Sequence, residues 1–213
     1  STFRHLTEDY AVEVIEAVAP SLAGGARRVF SEEALEDAYA GPGVRIADAA
    51  ISYPAAWVVI EINTRQLKQE SVVGISDESL DIDLEAVLDE ADQVYSTIRQ
   101  IRANEAGLTG AAPVGARRFY PVVILTEGFP LNPMVTTRLR EAIDARGWAD
   151  PSDTQPLTVL ELTTLEIIEA LQETGGPDLP SVLDGYFGSL MVNASVRDYL
   201  LVDQRVQPGR SRR

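Results

Sequence analysis

The sequence predicts an α/β protein in which a mixed β-sheet is flanked by helices, and three features carry that expectation. The run Trp57-Val58-Val59-Ile60 is continuously apolar, as a strand buried on both faces is. From Leu80 to about Asn104, apolar residues recur at spacings of three and four, the pattern of an amphipathic helix. Strand-like and helix-like segments then alternate to the C-terminus after an opening helix and meander, which suggests helices on both faces of the sheet.

Residues 5–19 place Leu6, Tyr10, Val14, Ile15 and Val18 near one helical stripe, with Thr7 as N-cap before Glu8 and Asp9. Pro20 and Gly24-Gly25 end that helix. A short strand is expected over Arg27–Ser31, then a loop through Gly41-Pro42-Gly43. Val44–Tyr53 and Ala56–Asn63 read as two strands around a turn at Pro54. The long helix turns Leu84, Val87, Leu88, Ala91, Val94, Tyr95, Ile98 and Ile101 inward. Asp81, Asp83, Glu85, Asp89, Glu90 and Asp92 then form what reads as a solvated face. The Gly-, Ala- and Pro-rich stretch from Gly107 to Gly115 reads as a mobile connector. A buried strand at Tyr120–Glu127, a helix at Pro133–Arg146, a strand at Leu157–Leu162 and a helix capped by Thr163 or Thr164 through Leu171 follow. Two short helices, near Ser181–Gly188 and Ser195–Leu201, precede an Arg-rich end. The expected organisation is a single domain over residues 1–205 and a basic disordered tail over 206–213.

Composition narrows the chemistry. The 213 residues carry 33 acidic and 18 basic side chains, a formal charge of −15. With no cysteine, disulfide scaffolds, thiol catalysis and Cys-based metal sites are excluded. His5 is the single histidine and Lys68 the single lysine, which leaves almost no room for a Ser-His-Asp triad, a multi-His metal site, a Walker A loop or a Schiff base. Carboxylate chemistry survives, with a hard cation such as Mg²⁺ if a metal is used. The acidic charge argues against coating nucleic acid or anionic membranes. No apolar run approaches the roughly 18 residues of a spanning helix, and no basic-then-apolar leader is seen. A cytoplasmic protein without membrane contact is expected.

The carboxylates Asp48 and Glu61 are the sharpest feature. A hairpin turning about the Pro54–Ala55 peptide sets Asp48 directly opposite Glu61 and Asn63 beside Ile46 on the same face. Opposed residues approach to roughly 5 Å between Cβ atoms, where like charges repel. Ile46 and Ala50 flank Asp48 on its face, so the pair looks inward, and a buried carboxylate needs compensation. A divalent cation would supply it. Two alternatives stay open. Pro54 cannot take the positive φ of the tightest hairpin turns, so a longer loop could shift the register, or Arg45, Arg65 or a distant arginine could pair with either acid.

Asp48 on one strand, a hairpin, then Glu61-Ile62-Asn63 closing an apolar strand resembles the PD-(D/E)XK motif of restriction-endonuclease-like nucleases. The element order over residues 5–127 is similar to that fold's core: a helix, a three-strand meander, a helix and a strand. The resemblance implies a restriction-endonuclease-like α-β-β-β-α-β core with C-terminal helical additions. It also implies Mg²⁺ or Mn²⁺ held by Asp48 and Glu61 for hydrolysis of nucleic-acid phosphodiesters, and a further carboxylate from Glu13 or Glu16 on the first helix. The family's third position is a lysine that orients water and stabilises charge. Here it is Asn63, whose amide can hydrogen-bond but carries no charge. Lys68 or Arg65 could reach back only if the intervening loop folds over the site. The expected centre is therefore impaired or non-standard, with weak affinity for generic duplex. The alternative is a non-catalytic interaction module, a pseudonuclease within a larger assembly that binds a protein partner or a second copy. Gln93 and Tyr95 either position substrate or serve as a surface amide and a packing residue. Trp57, Trp148, Phe119 and Tyr120 read as core or rim. Arg117-Arg118 reads as a solvated pair, with a local phosphate contact as the sharper alternative.

Overall fold

The computed structural model describes residues 2–19, 29–64, 77–113, 115–126 and 133–206, with the side chains of 2–8 and 77–80 outside that description. Five strands form one mixed sheet in sequential order: β1 (Val29–Ser31), β2 (Ala49–Tyr53), β3 (Ala56–Asn63), β4 (Arg118–Leu125) and β5 (Thr158–Glu161). β1, β2 and β3 pair antiparallel, whereas β4 and β5 run parallel to β3. The change of direction follows from connection length, since a two-residue turn permits only an antiparallel partner and parallel strands need a crossover.

Side chains alternate across the sheet, so each central strand feeds two cores. Ile51, Val58, Ile60, Val122 and Ile124 face α1 (Thr2–Val18), α6 (Leu162–Glu173) and α7 (Leu179–Phe187). Trp57, Val59, Val123 and Val159 face α2 (Glu32–Tyr39), α3 (Asp77–Ala103) and α5 (Pro133–Arg146). α1 is anchored at its end by the Tyr53 hydroxyl, which donates to Val18 O at 2.9 Å, and is tied to α6 by the Tyr10 hydroxyl donating to Glu166. No helix among the described residues is long and apolar enough to cross a membrane.

Several elements differ from the sequence reading. α2 replaces the expected loop after β1: Ser31 occupies its N-cap position, Glu32 and Glu33 fill the first turn, and Leu35 and Tyr39, four residues apart, are buried. β2 begins at Ala49, not Val44. Residues 44–47 carry no regular structure and bond to α3, with Arg45 N–H donating to Ser96 Oγ (3.3 Å) and Ala47 N–H to Thr97 Oγ1 (2.8 Å). The expected connector opens as a short helix, α4 (Glu105–Thr109), capped by the Asn104 side chain. Its Glu105 pairs at 3.2 Å with Arg117, which is largely buried and stacks over Trp57; only Arg118 is exposed, and it pairs with Asp184. β4 starts and stops two residues before the expected span. α6 starts after Glu161, so neither Thr163 nor Thr164 caps it, and Thr164 is buried. α7 is capped one turn early by Asp178. After it, α8 (Val196–Asp198), capped by Ser195, runs into a π-helical turn over Tyr199–Asp203. Val206, assigned to the tail, packs against the core and bonds back to Leu200 O. Residues 207–213 lie outside the described residues.

Thr97 is fully buried and satisfies the Ala47 N–H beside the candidate site. Thr97→Val keeps the shape and orphans that donor, so it should lower unfolding free energy by about 1–3 kcal/mol. Urea denaturation of wild type and variant measures this, and an unchanged midpoint would show that the hydroxyl does not hold the segment.

Candidate functional site

The turn at Pro54–Ala55 is a two-residue hairpin loop pairing Tyr53 with Ala56 and Ala49 with Ile60. Neither turn residue has positive φ, so the mirror-image turns that favour glycine are not used. This register carries on to set Asp48 opposite Glu61, one step beyond the last strand pair. The longer-loop alternative is thereby excluded.

Each acid accepts from a backbone N–H of the facing segment. Ile62 N–H donates to Asp48 Oδ2 at 2.7 Å, and Asp48 N–H donates to Glu61 Oε2 at 3.2 Å. The second oxygen of Glu61 accepts from Gln93 Nε2 at 2.7 Å, and the same amide donates to Glu90 at 3.0 Å. Asn63 is buried on the Glu61 side of β3 at 3% exposure, with its carbonyl accepting from Thr126 N–H. The site thus sits where β2 opens, β3 closes and α3 crosses above them.

Glu61 is only 6% exposed. Burial, then the charges of Asp48 and Glu90, push its pKa from the ordinary 4.5 to about 9, against a smaller lowering by the Asp48 N–H. Desolvation penalises the charged form and like charges add to it. A cation or a proton relieves that penalty. Among the described residues no three His, Cys, Asp or Glu side chains converge as a metal cage. The donor set nonetheless suits Mg²⁺, which keeps several waters and takes one or two carboxylates together with substrate phosphates. Asp48 and Glu61 are the residues that could hold it.

The other predicted residues divide. Gln93 meets Glu61, whereas Tyr95, two residues on, faces the opposite flank of α3 against Trp148. Glu13 and Glu16 are exposed on α1, which packs on the other face of the sheet, so they do not meet Glu61. Arg65 and Lys68 lie outside the described residues. Arg45 turns away from the acids to Asp89 and Asp92 on α3. The sequence reading missed Glu90, placing it with Asp83 on a solvated face; both are buried. The available signal was their spacing with Thr97 at intervals of seven, a stripe beside the apolar one. Trp57, Phe119 and Tyr120 are buried and Trp148 is half-buried, as expected of core and rim. No protein-family model matches the chain, and no curated protein matches it either.

Folded Glu61 keeps its proton up to about pH 9, while the unfolded chain releases it near 4.5. Its stabilising contribution is full below the unfolded value and is lost as pH rises toward the folded one. Glu61→Gln does not titrate, and the Gln93 amide can turn to accept from it. Thermal melts in chelator should therefore show the variant gaining on wild type steadily from pH 5 to pH 9. A difference independent of pH would mean that Glu61 is ionised throughout.

Proposed function

We propose that the protein is a restriction-endonuclease-like domain that binds Mg²⁺ or Mn²⁺ through Asp48 and Glu61 and hydrolyses nucleic-acid phosphodiesters slowly. The observation that supports this most is the facing pair itself: two acids opposed across a hairpin, one of them too buried to ionise without a compensating charge. The order α1, antiparallel β1-β2-β3, α3 and parallel β4 supports it as well, with α2 and α4 as insertions. When bound, the ion would neutralise phosphate charge and activate water. The chain's own contribution is to hold the ligands. Backbone N–H groups fix both carboxylates, and Gln93 orients Glu61 against Glu90. Asn63 offers hydrogen bonds but no charge to a developing phosphorane, so the rate is low.

Plasmid nicking in Mn²⁺ should be slow for wild type and absent for Asp48→Asn. Asn63→Lys should raise it by about 10²–10³, the usual worth of one charge-stabilising donor. Cleavage that survives Asp48→Asn would overturn the assignment.

A second reading, a non-catalytic interaction module acting on a protein partner or a second copy, is favoured by Asn63 and by the protein donors already seated on both acids. Metal-linked stability separates the two. Under the nuclease reading Mn²⁺ at a hundredfold excess over Kd stabilises wild type by about 2.7 kcal/mol and leaves Glu61→Gln unmoved in differential scanning calorimetry. Identical melting with and without the ion would favour the module. Under either reading the charge of −15 keeps binding to random duplex weak at physiological salt.

A further inference from the structure

We propose that Arg45 is the phosphate-binding cation of the acidic site, held on α3 by Asp89 and Asp92 until a substrate phosphodiester draws it away. The inference rests on the nuclease reading and deepens it. With Asp48 and Glu61 ionised around a divalent cation the site is neutral, so a phosphodiester brings one negative charge with nothing to meet it. Asn63 offers only an amide. An anion taken out of water needs a paired charge, and Arg45 stands three residues before Asp48.

Arg45 Nη1 donates to Asp89 Oδ1 at 3.3 Å and to Asp92 Oδ2 at 3.2 Å. Residues 89 and 93 are four apart and so are neighbours on the helix surface. Gln93 is the residue whose amide bonds both Glu61 and Glu90. The guanidinium and the acidic site therefore share one stretch of α3, residues 89–93. The hold on Arg45 is weak. Both pairs use a single nitrogen, and the side chains of Arg45 and Asp89 are more than one-third exposed, where ion pairs contribute little. Arg102, by contrast, grips Asp153 through Nε and Nη2 together. Nε and Nη2 of Arg45 make no hydrogen bond among the described residues, which leaves a fork of two donors for the paired oxygens of a phosphate. Release of the guanidinium leaves the backbone in place, because Ser96 and Thr97 hold the Arg45 and Ala47 N–H groups. Arg99, 4.0 Å from Asp92, remains to offset that acid.

The dinucleotide dTpdT is the probe, titrated into the full chain in saturating Mg²⁺ and followed in ¹H–¹⁵N spectra at the Gln93 side-chain amide. Mg²⁺ alone should shift that amide in wild type and in Arg45→Gln alike. No shift in wild type would overturn the nuclease reading and the inference with it. Arg45→Gln should then weaken dTpdT binding by about 3- to 30-fold, the worth of a charged hydrogen bond less the pairs given up, and Arg45→Lys should restore part of the loss. Asp89→Asn with Asp92→Asn frees the guanidinium and should tighten binding by about 2- to 10-fold. Removing two negative charges helps any phosphate, so the same pair of changes made on Arg45→Gln gives the reference, and the gain there should be clearly smaller. A Mg²⁺ shift retained with dTpdT affinity unchanged in Arg45→Gln would overturn the inference alone. So would an equal gain in both backgrounds, or a loss of affinity in the Asn pair, which is what a merely structural Arg45 predicts.

Discussion

The two-residue turn at Pro54–Ala55 fixes a register on which the rest of the structure depends. Side chains on β2 and β3 alternate between two cores, so a slip of one residue would exchange Val58 and Ile60 for Trp57 and Val59. It would also carry Glu61 into the apolar layer beneath α1. Neither turn residue has positive φ, so the hairpin does not use the turn types best matched to strand twist. Burial on both faces holds that register together with the turn. The parallel pairing of β3 with β4 along its whole length repeats that constraint, because β4 alternates between the same two cores.

That register places acids where acids are unfavourable. Glu61 shares its face of β3 with Val59, lies beside Val123 on β4, faces Asp48, and lies under Glu90. Gln93 joins the two glutamates through a single amide, turning a repulsive pair into a hydrogen-bonded one. A buried carboxyl with a strongly raised pKa, set among other carboxyls, is a candidate functional group on physical grounds. Its pH dependence, and the cation binding proposed for it, would both follow from one desolvation penalty.

The arginines show how so acidic a chain stays compact. Arg45 ties the segment before β2 to Asp89 and Asp92 of α3, Arg102 ties the end of α3 to Asp153, and Arg146 ties α5 to Glu85. Exposed pairs of this kind contribute little individually. Their larger effect is to occupy guanidinium groups that a phosphate backbone would otherwise engage. Arg140 differs in that its side chain crosses from α5 to the turn at Val192 and Asn193 and bonds there to neutral oxygens.

The sequence by itself determined the mixed α/β class and the long helix, and it allowed the Asp48–Glu61 pairing, which the two-residue turn then fixed. Each rests on periodicity or on a turn of two residues, and so on contacts within a few residues or across one tight hairpin. The sequence hid α2, whose eight residues bury only Leu35 and Tyr39, too few to show a period beside the short β1. It also placed Glu13 and Glu16 near the site, Glu90 in solvent and Arg117 on the surface. Those errors share a cause. Which face of the sheet a helix covers, and how it is rotated about its own axis, depends on packing between segments far apart in the chain. Only the tertiary structure decided that α1 lies across the sheet from Glu61 and that α3 is rotated to bring Glu90 and Gln93 down upon it, because helix rotation is set by the apolar stripe that docks on Val59 and Val123 and not by the polar residues it carries along.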